Sequence, residues 1–63
     1  MKKGDIIRKT IGEHIGALGI VVDIIEYIPE YSVYDNNTYA IVNTSFGVKR
    51  WYCRKMEVIF EAR

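Results

Sequence analysis

Residues Ser45 to Ile59, Ser-Phe-Gly-Val-Lys-Arg-Trp-Tyr-Cys-Arg-Lys-Met-Glu-Val-Ile, restrict the fold more than any other part of the chain. A turn signal at Phe46-Gly47 precedes a run of β-formers, then a polar connector too short for an α-helix, then a second apolar run. Gly47 can take a positive φ without a Cβ clash, so Val48 to Cys53 is expected to run antiparallel to a strand at Thr38 to Thr44. Arg54-Lys55-Met56 then reads as about one turn of 3₁₀ helix with Met56 pointing inward, and Glu57 to Phe60 as a closing strand. The same stretch places Lys49, Arg50, Arg54 and Lys55 around Trp51 and Tyr52, so the strongest fold signal and the best contact surface overlap.

The earlier part of the chain supplies two further strands. Gly4 to Thr10 reads as the first, with Ile7 inward. Ile11 to Gly19 holds Gly12, Gly16 and Gly19, a density that weakens any helix by roughly 1 kcal/mol per glycine relative to alanine, so a long loop is expected there. Gly19 to Tyr27 is the strongest strand signal because it is dense in β-branched residues. Period-two alternation puts Ile20, Val22 and Ile24 on one face and Val21, Asp23 and Ile25 on the other, and the first set is assigned to the core. Pro29 lacks a ladder donor and ends that strand, and Tyr31 to Asn37 follows as a polar, tyrosine-rich loop. In Thr38 to Thr44, Tyr39, Ile41 and Asn43 alternate with Ala40 and Val42, and Ile41 is the expected core member.

At 63 residues the chain has room for one domain, 1–63, that buries only about 60% of its unfolded surface. With 49% hydrophobic and 27% charged residues it has the composition of a globular protein, not a disordered one. Nine Lys and Arg against eight Asp and Glu leave a net charge of +1, so affinity for polyanions would have to come from local clustering. One cysteine, Cys53, excludes an intramolecular disulfide and suits a reducing, intracellular setting, either the host cytoplasm or a virion. Met1-Lys2-Lys3 resembles the charged start of a signal peptide, but Arg8, Lys9 and Thr10 interrupt any apolar run after it. Ala17 to Ile28 contains Asp23 and Glu26 and falls short of the roughly 18 apolar residues of a membrane span, so no membrane association is expected.

Five short strands, a long loop after the first and a one-turn helix before the last describe an all-β, five-stranded SH3-like barrel, an architecture that protects its edges by closing on itself. The chain resembles the small SH3-like barrels that recur among phage and cyanophage proteins. The matching residues are Lys3-Gly4-Asp5-Ile6-Ile7-Arg8 at the start, Gly19-Ile20-Val21-Val22-Asp23-Ile24 in the second strand, and Trp51-Tyr52 followed by Met56-Glu57-Val58-Ile59. The resemblance spans nearly the whole chain and implies a small viral structural or accessory protein. A looser similarity extends to the photosystem subunit with an SH3-like fold and to KOW and Tudor modules. Two departures stand out. Asn43 replaces the aromatic residue common before the turn, and Ile11 to Gly19 lacks the acidic-aromatic signature of peptide-binding SH3 domains.

No catalytic constellation is legible. Acid, base or nucleophilic chemistry needs paired groups, and the chain has one histidine, His14, in a glycine-rich loop and one cysteine at a strand end. His14 is expected to face solvent and Cys53 to be a half-buried small residue. Zinc needs about four Cys or His ligands, more than one chain offers. The glycines fit neither the Walker nor the dinucleotide pattern and are read as turn formers, so no cofactor and no metal is expected. Asn36-Asn37-Thr38 and Asn43-Thr44-Ser45 match the glycosylation triplet, which has no use without export.

Two groups of residues remain as contact candidates. Strand parity sends Lys49, Trp51 and Cys53 one way and Arg50, Tyr52 and Arg54 the other, so the basic run cannot form one patch. With Trp51 inward, Arg50, Tyr52 and Arg54 form an outward row, which is either a contact surface or a solvated face that resists edge pairing. Tyr27, Tyr31 and Tyr34 lie around Pro29 and either form a protein-binding surface or fold back over the barrel mouth. The leading reading is a non-enzymatic interaction module that docks on a larger protein partner or its own copies through Tyr27, Tyr31, Tyr34, Arg50, Tyr52 and Arg54. The alternative is a nucleic-acid-binding barrel of the KOW or Tudor-like kind that uses Lys2, Lys3, Arg50, Arg54 and Lys55.

Overall fold

The computed structural model describes residues 1–25 and 38–63. Its elements are β1 (Ile6–Lys9), β2 (Leu18–Ile25), β3 (Tyr39–Thr44), β4 (Gly47–Tyr52), a 3₁₀ turn (Cys53–Lys55) and β5 (Met56–Phe60). The five strands form one antiparallel sheet in the order β4-β3-β2-β1-β5, and the described residues contain no α-helix. The expected hairpin is present. Gly47 has φ +107°, and the Thr44 hydroxyl accepts from the Phe46 amide at 3.0 Å while donating to the Gly47 carbonyl at 2.7 Å. The long loop after β1 contains positive-φ glycines at Gly12 and Gly16, as its turn-forming composition anticipates. The 3₁₀ turn begins at Cys53, one residue earlier than expected, and Met56 already belongs to β5 and is buried.

The core consists of Ile7, Val21, Ala40, Val42, Trp51 and Met56, with Ala17, Ile24, Cys53 and Val58 packed against it. Ile7 and Met56 are inward as expected, and Trp51 is inward too, the condition on which the outward row depends. Two assignments are corrected. In β2 the buried residues are Gly19 and Val21, the latter at 1% exposure, whereas Ile20 and Val22 are 48% and 45% exposed. Val21 pairs with Val42 and Asp23 with Ile41, so Val22 is an extra residue, a bulge across which parity reverses. Gly19 and Val21 therefore face inward before the bulge and Ile24 after it, which a strict period of two cannot describe. In β3 the buried residues are Ala40 and Val42, both 0% exposed, and Ile41 lies on the other face. Ile41 pairs with exposed Arg50, and Ala40 with buried Trp51, so the tryptophan sets the parity of β3.

A second irregularity, between Ile6 and Ile7 in the β1–β5 ladder, lets β5 turn Met56 and Val58 inward and Phe60 outward. The space above Gly19 is already filled, since a Cβ there would meet the Val42 Cγ1 at 2.3 Å and the Asn43 carbonyl oxygen at 3.0 Å. Asp5 is buried at 2% exposure and fastens both ends of the chain. Its carboxylate accepts from the Lys2 amide at 2.9 Å and from the Ala62 amide at 2.7 Å, while its carbonyl accepts from the Val21 amide at 2.9 Å. The Ala62 amide holds the Asp5 carboxyl below its ordinary value, helped by the amide and charge of Lys2 and opposed by burial.

Two outcomes follow from this packing. Gly19→Ala is expected to destabilise the protein by about 1–3 kcal/mol, because the added methyl overpacks a filled site, and urea titration measures it. Since the folded-state value of Asp5 lies below its unfolded value, its stabilisation is complete above pH 3.8 and is lost as the pH falls through the lower folded value. Asp5→Asn is therefore expected to lose stability at neutral pH and to show a shallower further decline below about pH 4 in acid titrations followed by circular dichroism.

Candidate functional site

The outward row is present and larger than expected. Arg50, Tyr52 and Arg54 are all exposed on the face of β4 and its 3₁₀ extension opposite Trp51. Tyr39 and Tyr52 are directly paired across β3 and β4, with ring centroids 6.4 Å apart at 82°, an edge-to-face contact. Arg50 sits diagonally from Tyr39, and its guanidinium lies 5.1 Å from that ring centroid. The 3₁₀ turn then brings two more cations to the same place, Arg54 at 5.2 Å and Lys55 at 5.7 Å from the Tyr52 ring. Exposed cation–π contacts of this kind contribute about 0.5–1 kcal/mol each, enough to orient the side chains without removing their charge from water. The result is a patch of three cations over two rings.

Alternation alone puts Arg50 and Tyr52 on this face, and Arg54 joins them from the 3₁₀ turn. The 3₁₀ turn leaves the two-residue period and adds Lys55, while Lys49 stays half-buried on the inner side. Tyr39 belongs to the patch and was missed; its pairing with Tyr52 could have been found by laying the hairpin register out from the Ser45-Phe46 turn. Lys2 and Lys3 are held elsewhere by acids, Lys2 within 3.6 Å of Asp5 and Lys3 within 3.9 Å of Asp23. Arg8 pairs with Glu57 on the outer face. Among the described residues no carboxylate lies within ion-pair distance of Arg50, Arg54 or Lys55. Tyr27, Tyr31 and Tyr34 lie outside the described residues.

A second cluster, also missed, closes the opposite side of β4. Lys9 is buried at 5% exposure, with its amine 4.6 Å from the Trp51 ring centroid and donating to the Glu13 carbonyl at 3.0 Å. His14, exposed as expected and at φ +61°, stacks on Phe46 with centroids 5.1 Å apart and tilts over Trp51 at 6.4 Å. These contacts tie the long loop to the β3–β4 hairpin. The signal was present in the sequence, because Lys9 shares the parity of inward Ile7. Burial holds the Lys9 amine below its ordinary 10.5, the charge of Lys55 acts in the same direction, and Glu13 opposes both. Half-buried Cys53 has its thiol pushed up by burial, which disfavours the nucleophilic thiolate.

Among the described residues no three His, Cys, Asp or Glu side chains gather in a way that could hold a metal ion, and no helix is long and apolar enough to cross a membrane. Compared with family models, curated proteins and solved structures, the chain matches none.

The Lys9 site carries a pH signature of its own. Its proton is bound less tightly in the folded protein than in the unfolded chain, so stability rises with pH between the folded value and 10.5. Lys9→Met keeps the apolar stem over Trp51 and removes the titration. The variant is expected to gain less stability than the parent as the pH rises toward 10.5, measured by urea unfolding at each pH.

Proposed function

We propose that this chain is a non-enzymatic protein-interaction module, built as an SH3-like barrel of the small phage type, that docks on an acidic surface of a protein partner. The strand order, the long loop after β1 and the 3₁₀ turn before β5 support the barrel reading. The observation that carries the function is the patch formed by Tyr39, Arg50, Tyr52, Arg54 and Lys55. Arginine and tyrosine are the residues that dominate binding energy at protein interfaces, and here both are exposed and mutually oriented. Among the described residues these cations have no carboxylate partner, so their charge is available to acidic side chains of a partner.

The same patch could stack on bases, as a KOW or Tudor-like barrel would. That alternative needs Lys2 and Lys3 as well, and both are engaged with Asp5 and Asp23. A net charge of +1 adds no long-range attraction to a polyanion, so the protein reading accounts for more of the molecule.

Arg50→Ala combined with Arg54→Ala is expected to weaken association with the co-purifying partner by about tenfold, roughly 1.4 kcal/mol, with the circular dichroism spectrum unchanged. Lys2→Ala combined with Lys3→Ala leaves the association in place. Interferometry with the purified partner measures both, alongside light scattering for self-association. Equal affinity of the arginine variant and the parent would overturn the reading, and retardation of single-stranded RNA or DNA that depends on Arg50 and Arg54 would replace it with the nucleic-acid one.

A further inference from the structure

We infer that the outer edge of β4 takes an extended acidic peptide segment as an added antiparallel strand; this deepens the docking role proposed above and rests on it. The backbone supports the edge independently of the side chains. β4 ends the sheet, and among the described residues no strand pairs with its other edge. Register identifies which of its backbone groups point there. Thr44 pairs with Gly47 around a two-residue turn, and the Cys53 amide donates to the Thr38 carbonyl at 3.0 Å, which places both pairs in the hydrogen-bonded class. Antiparallel alternation then puts Val42–Lys49 and Ala40–Trp51 in the same class. The amides and carbonyls of Val48, Arg50 and Tyr52 therefore point away from β3, toward the edge.

The side chains of these same residues are exposed on the outer face, so a strand added at this edge would have its own residues beside them. Opposite Val48, which is 67% exposed, an apolar residue fits. Opposite Arg50 and Tyr52, with Arg54 and Lys55 adjoining, carboxylates fit. In the register of greatest overlap, which pairs Val48 with Tyr52, a second copy sets Arg50 against Arg50, and like charges directly opposite destabilise a sheet. Charge complementarity selects an acidic segment, and main-chain hydrogen bonds provide the affinity.

The probe is the capped heptapeptide Thr-Glu-Thr-Glu-Thr-Val-Thr, titrated into the ¹⁵N-labelled 63-residue chain, with a form carrying lysine for glutamate as the charge control. The glutamate peptide is expected to shift the amides of Val48, Arg50 and Tyr52, and the lysine peptide to leave them in place. Methylating the backbone nitrogens of the two glutamates and the valine, which face β4 in the added strand, is expected to abolish binding. Methylating the threonine nitrogens is expected to leave it within about threefold, since they face away. Arg50→Pro and Arg50→Ala both remove the guanidinium, but only the proline also removes the edge-facing amide, so Arg50→Pro is expected to bind at least tenfold more weakly than Arg50→Ala. Should Arg50→Pro fail to fold, the two methylated peptides decide the matter. No shift at millimolar glutamate peptide, or equal binding of both methylated forms, overturns the edge inference. If Arg50→Ala still weakens binding in the second case, the contact row survives without the edge. Sensitivity to methylation with no effect of Arg50→Ala would instead remove the acidic preference.

Discussion

Everything in this sheet follows from how β2 is seated. β2 pairs with β1 on one side and β3 on the other, so its parity is imposed on both halves. Val21 must fill the centre beneath Val42, and Gly19 must leave room for it, which turns Ile20 and Val22 outward. The extra residue at Val22 then lets Ile24 return to the core against Ala40. One bulge thus reconciles a strand dense in β-branched residues with a core too small to take all of them. The cost is an outer face with exposed apolar residues, Ile20, Val22, Val48 and Phe60 among them.

The two faces of β4 divide the labour. Its inner face carries Trp51, sealed by the stem and amine of Lys9 and by the stack of His14 on Phe46. That side anchors the long loop and is structural. Its outer face carries Arg50 and Tyr52, and the 3₁₀ turn swings Arg54 and Lys55 onto the same rings. A rigid inner anchor holds the outer patch in place, as a binding surface requires if little entropy is to be lost on docking. Asp5 adds the remaining constraint by joining the start of β1 to the segment after β5.

Much of the candidate site is legible in the amino-acid sequence. Alternation from an inward Trp51 suffices to turn Arg50 and Tyr52 outward, because the strand is regular there, whereas Arg54 reaches the same face from the 3₁₀ turn. Lys55 was less accessible, since a 3₁₀ turn breaks the two-residue period and its direction depends on where the turn begins. Tyr39 required the β3–β4 register, a relation between residues far apart in the chain. Lys9 shows a different failure: its parity matched that of Ile7, but a lysine is rarely buried unless its charge finds partners, so type outweighed position. Here the partners are the Trp51 face and the Glu13 carbonyl.

The amino-acid sequence by itself determined the number of strands and their succession along the chain, the Ser45-Phe46 hairpin, the one-turn connector and the inward course of Ile7 and Met56. Each of these depends on local propensity, on turn chemistry or on a period that nothing interrupts. Only the tertiary structure decided which faces of β2 and β3 are buried, that Asp5 joins the two ends, and that three cations share two tyrosine rings. Those features depend on volume and on contacts across strands. A one-residue bulge reverses every side chain beyond it at small local cost, and the choice is made by the space left beside Val42 and Trp51.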